Sequence, residues 1–228
     1  MKVYKLKNVL FLLFVVFVAG CASIKDLDYG ISKLKEVNSK YNTTMDSFPS
    51  QPDKIDMMIN DINNLKSIDL GDNNEEFGYI LDYRIANSEA IKFLIQSGKY
   101  GKLGTTVGGF ACKPRPLVIE SAILRNMSAQ KGYGAAKLMN LFAEKYPADA
   151  EKLNFSTKKA LFMNADFSEI ETNGRKDINT VNSLCPTNRT LELYKEDFAN
   201  HLNLSKDAID NLTYDEAVNI WKIEKGYR

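Results

Sequence analysis

Residues 24–48 read IKDLDYGISKLKEVNSKYNTTMDSF (Ile24–Phe48), and this stretch decides the fold. Apolar side chains recur at Ile24, Leu27, Ile31, Leu34, Tyr41, Met45 and Phe48, with Asn38 in the one remaining register position. The steps alternate three and four, which places the residues on a single stripe of a helix. The same spacing is a heptad seam with Asn38 as a polar break. Phe48-Pro49-Ser50-Gln51-Pro52 then stops the helix, because proline removes a backbone donor and clashes with the preceding turn. A second stripe follows at Ile55, Met58, Ile59, Ile62 and Leu65. Residues 24–68 therefore predict an antiparallel helical hairpin. Its heptads are too few for a sustained coiled coil, so the stripes pack within the molecule.

The helical period continues outward. Asp69–Asn74 is a loop by composition, and a third helix is predicted from Glu75 to Ser97 on the stripe Phe77, Ile80, Leu81, Ile85, Ile91, Leu94 and Ile95. Gly98, Gly101, Gly104, Gly108 and Gly109 are expected to end it, with an irregular connector around Cys112 that closes at Pro114 and Pro116. Residues 117–130 and 134–146 predict another hairpin, turning at Lys131-Gly132-Tyr133-Gly134. Ser156 is placed to cap a helix through Leu161 and Phe162. Cys185-Pro186 closes that segment, and Thr190–Leu202 predicts a further helix. Two short helices finish the chain, the last with the capping pair Thr213 and Glu216 ahead of Val218, Ile220 and Trp221. No strand pattern stands out, so the fold class is all-α: an array or bundle of antiparallel helical hairpins, repeat-like in character.

The N-terminus carries an address. Lys2, Lys5 and Lys7 precede an unbroken apolar run from Val9 to Ala19. That run is too short to span a bilayer, which takes about 20 apolar residues, and it reads as a secretory signal. It ends in Val18-Ala19-Gly20-Cys21, which resembles the lipobox of prokaryotic lipoproteins. The resemblance implies acylation of Cys21, loss of residues 1–20, and a membrane anchor made of lipid. Two acyl chains hold stably where one binds reversibly, at about 0.8 kcal/mol per buried methylene. The mature chain would keep 208 of the 228 residues and shift from a formal charge of +1 to −2 with the loss of three lysines. Three segments follow: the signal peptide 1–20, an N-terminal helical hairpin 21–70, and a helical domain 71–228.

With Cys21 given to lipid, Cys112 and Cys185 remain as an even pair outside the cytoplasm, where one disulfide is expected. Closing that loop is worth about 4 kcal/mol by chain entropy.

Ala135, Met139, Phe142 and Pro147 fall at the steps of the second helix of a tetratricopeptide repeat, and Tyr100 and Tyr133 stand 33 residues apart. Residues 117–147 are thus weakly similar to tetratricopeptide-like hairpins. They depart from the pattern at Met139, where an aromatic is usual, and at Phe142, where alanine is usual.

Composition limits the function classes. Hydrophobic residues make up 44% and charged residues 26%, a globular balance. A net charge of +1 gives nucleic-acid binding no electrostatic support. One histidine, His201, leaves little for a histidine-rich metal site or a Ser-His-Asp triad. Neither metal nor cofactor is called for. Asp69–Glu75 lacks the glycine and glutamate that an EF-hand loop needs at Asn74 and Ile80, and reads instead as an acidic helix cap. Gly98-x-x-Gly101-Lys102 has Leu103 where a phosphate loop needs Ser or Thr. Lys113 and Arg115 beside Cys112 read as a solvated loop face. Tyr79, Tyr83, Tyr100 and Tyr133 read as helix-packing residues, with a groove lining as the alternative.

Six sequons, at Asn42, Asn126, Asn154, Asn188, Asn203 and Asn211, are candidate glycosylation sites in an exported chain. Three of them are also explained by Ser156, Ser205 and Thr213 acting as helix N-caps. The sequence as a whole is read as a lipid-anchored, extracytoplasmic binding or scaffold protein, not an enzyme, held to the membrane through Cys21 and in contact with a protein partner. The alternatives are a small-molecule or glycan-binding lipoprotein, a structural envelope protein, and an envelope enzyme with paired carboxylates.

Overall fold

The computed structural model describes residues 26–106, 115–184, 199 and 205–211. In chain order it contains α1 (Leu27–Lys40), α2 (Pro52–Leu65), a 3-10 turn (Gly71–Asn73), α3 (Asn74–Thr106), α4 (Arg115–Lys145), α5 (Pro147–Lys152), α6 (Thr157–Leu184) and α7 (Lys206–Asn211). The described residues contain helices and no strand, as the 3.6-residue period predicts. Cys21, Cys112, Cys185, Asn188, Asn203, His201, Lys113, Thr213 and Trp221 lie outside the described residues, as does the helix predicted at 190–202 apart from Ala199.

Helix α1 begins where Asp26 accepts a hydrogen bond from the Tyr29 N–H at 3.0 Å. It ends at Lys40, well before the Phe48 that its stripe predicts. The cause is Asn42, which adopts a left-handed φ of 54°. Asn42 N–H then reaches Ser39 O at 3.0 Å and Thr43 N–H reaches Asn38 O at 2.9 Å, which closes the last turn. Met45 and Phe48 stay on the apolar side but do so from an irregular strap, packed against the core. Helix α2 opens with Pro52 in its first turn and returns antiparallel.

The two long helices correct two expected breaks. Helix α3 runs through Gly98 and Gly101, although the glycines were expected to stop it at Ser97. Helix α4 is one continuous element through Lys131–Gly134, so the hairpin expected at 117–146 does not form; Ala135, Met139 and Phe142 lie on this single helix and Pro147 opens α5. Both corrections have the same origin. A Cβ on Gly101 would stand 3.2 Å from Ser121 Oγ of α4, and a Cβ on Gly132 would stand 2.2 Å from the Phe167 ring of α6. These glycines are notches that let neighbouring helices approach, at an intrinsic helix cost of about 1 kcal/mol each.

Contacts between Lys145 and Glu75, Lys131 and Glu89, and Ser128 and Ala90 fix α4 antiparallel to α3. Contacts of Tyr133 with Glu171 and Arg125 with Asp177 fix α6 antiparallel to α4. The N-terminal hairpin covers the first half of α3. Leu34, Met58, Ile62, Phe77, Ile80 and Phe142 are buried in one core that spans the hairpin and both long helices. Each such side chain contributes about 1.5–3 kcal/mol on burial.

The corner between α4 and α6 is built from short capping devices. Asn154 has φ 54°, and the N–H groups of Asn154 and Phe155 reach Glu151 O at 3.1 Å and Ala150 O at 2.8 Å. Two residues on, Ser156 Oγ accepts from Lys159 N–H at 3.1 Å and starts α6.

The notch reading makes a paired prediction. Gly132→Ala should destabilise the fold by about 1–3 kcal/mol through overpacking on Phe167. Gly134→Ala, where a Cβ meets nothing within 4 Å, should be neutral or stabilise by up to about 1 kcal/mol. Equal effects in urea unfolding would refute the notch.

Candidate functional site

Among the described residues, three polar constellations inside the helical packing bear on function. The largest surrounds Arg84 of α3, which is fully buried. Its Nη1 donates to Met45 O at 2.9 Å, and its Nη2 donates to Ser47 O at 2.8 Å and to Asn38 Oδ1 at 3.0 Å. Nε points to the same Asn38 oxygen at 3.3 Å. The guanidinium also stacks on the Phe48 ring, 4.3 Å from its centroid. Burial pulls its pKa down to about 10, which keeps it charged at neutral pH. Its donors are taken up by neutral acceptors, with Asp46 supplying a nearby negative charge and pairing in turn with Lys159 of α6 at 2.9 Å. All of this is scaffold: the group that could bind an anion is sealed.

The second constellation lines a groove of about 590 Å³ between the far halves of α3 and α4, bounded by Leu94, Ile95, Gly98, Ser121, Lys102 and Arg125. Ser97 Oγ donates to Ser121 O at 2.8 Å, and Ser121 Oγ donates to Ser97 O at 2.8 Å. Arg125 donates to both hydroxyl oxygens at 3.3 Å and bridges to Asp177 at 2.7 Å. Each serine proton is therefore committed to a backbone carbonyl and each oxygen to a guanidinium. Such a hydroxyl has no general base to receive its proton, which nucleophilic attack requires. The pair is a clasp between helices, and the groove above it is lined by apolar and cationic side chains.

The third is a buried carboxyl at the opposite end. Glu76 of α3 is 7% exposed and its Oε1 has no hydrogen-bond partner. Burial first, and then the Asp149 charge, push the Glu76 carboxyl up to about 7. Among the described residues no three His, Cys, Asp or Glu side chains are grouped so as to hold a metal ion.

Four sequon asparagines are described. Asn42 and Asn154 are exposed and serve as left-handed helix ends. Asn126 lies mid-helix with its Oδ1 buried and unpaired. A Cβ on Gly174 of α6 would stand 3.0 Å from that atom, and Ser128 of the same sequon is buried with its hydroxyl on Ala90 O at 2.7 Å. Asn211 is exposed at the end of α7, which Ser205 caps by accepting from Ala208 N–H at 3.2 Å. The tyrosines pack. Tyr83 is buried edge-on to Phe155 with centroids 4.6 Å apart, and burial pushes its hydroxyl up to about 12. Tyr79 meets Tyr146 at 6.3 Å, and Tyr133 bonds Glu171 at 3.0 Å. At the Asp69 loop, Asp69 Oδ1 accepts from Gly71 N–H and from the Asn74 side chain, both at 3.0 Å, which is a turn capping itself.

Sequence reasoning missed Arg84, Glu76 and the serine clasp. For Arg84 a signal existed: Asn38 in an apolar stripe demands a polar partner.

No protein-family model matches the chain, and no curated protein or solved structure is significantly similar to it.

The clasp makes a chemical prediction. A fluorophosphonate probe should label neither Ser97 nor Ser121 in the folded protein, and Ser121→Ala should cost about 1 kcal/mol of stability. Stoichiometric labelling of either serine would overturn the assignment.

Proposed function

We propose that this chain is a lipid-anchored, extracytoplasmic helical scaffold that works by protein–protein contact at the cell envelope. The lipobox-like Val18–Cys21 supplies the anchor, and the apolar surface of α6 supplies the contact. Leu161 and Phe162 are the observation that carries the reading. They sit side by side in the second turn of α6 at 64% and 60% exposure, with the Lys158 ammonium 5.8 Å from the Phe162 ring centroid. Adjacent large apolar side chains left in water support a recognition role.

Anchoring orients the body. Four residues lie between Cys21 and Asp26, so five residue steps give a reach of about 17 Å when extended. The starts of α1 and α3 would thus lie near the anchor, with the far ends of α3 and α4 about 50 Å from them along the helices, from the rise of a 33-residue helix. The groove over Ser97 and Ser121 lies toward that outer end. It supports a second reading, a lipoprotein that binds a small molecule or glycan there. Among the described residues no helix is long and apolar enough to cross a membrane.

The test is crosslinking and pull-down from native membranes, with mass measurement of the N-terminal peptide. The scaffold reading expects an acylated Cys21 as first residue and a reproducible partner. That partner should be lost in the double variant Leu161→Ser with Phe162→Ser while the melting temperature holds. An unmodified Cys21 still joined to residues 1–20 contradicts the anchor. A partner retained by the double variant contradicts the contact surface.

A further inference from the structure

Leu161 and Phe162 are the two most exposed large apolar side chains among the described residues, and the surface around them is ordered. Lys158, Phe162, Ala165 and Glu169 are all exposed and follow one another at steps of four, three and four. On a helix those steps make one narrow stripe with the spacing of a two-helix seam. Leu161 flanks the stripe, and Ala160, Phe167 and Gly174 on the opposite face of α6 are buried. The stripe therefore points away from the body. Its charges are uncommitted. The neighbouring Lys159 and Glu171 are paired with Asp46 and Arg175. Among the described residues no ion pair takes up Lys158 or Glu169. Within one chain the two stand about 17 Å apart along a rigid helix, beyond the reach of their side chains.

Turned antiparallel against a copy of itself, this stripe is its own complement. The register that faces Phe162 of one chain with Ala165 of the other also faces Lys158 with Glu169, because both pairs are centred on the same point of the helix. Large meets small in the middle and opposite charges meet at both ends, as a two-fold interface requires. A parallel pairing would set Lys158 on Lys158 and Glu169 on Glu169. Resting on the reading of Leu161 and Phe162 as the contact surface, we propose that their partner is a second copy of this chain, joined by antiparallel pairing of α6 about a two-fold axis between Met163 and Asn164.

The seam from Lys158 to Glu169 is short, about 17 Å, and buries far less than the roughly 800 Å² per partner of a standard interface. The dimer is therefore weak in free solution. Tethering both copies to one membrane would strengthen it by raising the effective concentration to about the millimolar range. Ala160 of α6 shares a core with Leu27 of α1 and Phe77 of α3, so the seam lies toward the end of the body where α1 and α3 start. The two Cys21 anchors would then lie near the centre of the dimer.

Sedimentation equilibrium of the chain from Cys21 to Arg228, taken up to about 1 mM to match a short tether, tests this without depending on acylation. A reversible dimer is expected, and zero-length carbodiimide coupling should join Lys158 of one copy to Glu169 of the other. Lys158→Glu and Glu169→Lys should each weaken the dimer about tenfold or more, since each places like charges face to face at both ends. An equimolar mixture of the two variants, or the double swap in one chain, should recover it. A chain that stays monomeric, single swaps without effect, or a mixture that fails to recover overturns the pairing. A different protein captured through Leu161 and Phe162 while the chain stays monomeric overturns the second copy and leaves the contact surface standing. A charge-dependent dimer with an unmodified Cys21 supports the pairing and contradicts only the anchor.

Discussion

The fold depends on one buried cation. Arg84 leaves α3 and is met by Asn38 of α1, by the carbonyls of Met45 and Ser47 in the strap, and by the Phe48 ring. A guanidinium placed in an apolar core without these acceptors would cost far more than any one packed side chain returns. After Asn42 ends α1, the strap presents the Met45 and Ser47 carbonyls to this guanidinium. The strap in turn seats Met45 and Phe48 and lets α2 return along α3. Around this point α1, α2 and α3 cannot be moved independently.

The rest of the packing follows a related pattern, in which polar groups sit at helix crossings and satisfy one another. Ser97, Ser121 and Arg125 join α3 to α4 and α6, and Ser128 reaches the Ala90 carbonyl. Buried hydrogen bonds of this kind fix register more than they add stability, since each is worth only about 1 kcal/mol net. Glu76 is the exception, a buried carboxyl with an unpartnered oxygen. Arg84, Ser97 and Ser121 are thereby part of the helix packing, while Leu161 and Phe162 remain in solvent.

Much of the fold was legible because amphipathic period is a local property. The stripes of α1, α2 and α3 follow directly from spacing, and Ser156 was readable as a cap. The errors came from residues whose role is set by a distant neighbour. Gly101 and Gly132 carry the composition of a helix end, and only Ser121 and Phe167 turn them into notches. Asn42 looks like a continuation of α1 until its left-handed φ is seen. The candidate site was less legible still. Asn38 announced a missing partner, but nothing local singles out Arg84, which stands 46 residues later. Several sequons are helix-capping sequence: Asn154 ends α5 and Ser156 starts α6, so one tripeptide serves two caps.

The most direct test of the central role of Arg84 is a double-mutant cycle in urea unfolding with Arg84→Met, Asn38→Leu and the pair. Each single change leaves buried polar groups unpaired, whereas the double change removes both partners together. The account predicts a coupling energy of about 2 kcal/mol or more, with the double variant less damaged than the sum of the singles. Additivity within about 0.5 kcal/mol would contradict it.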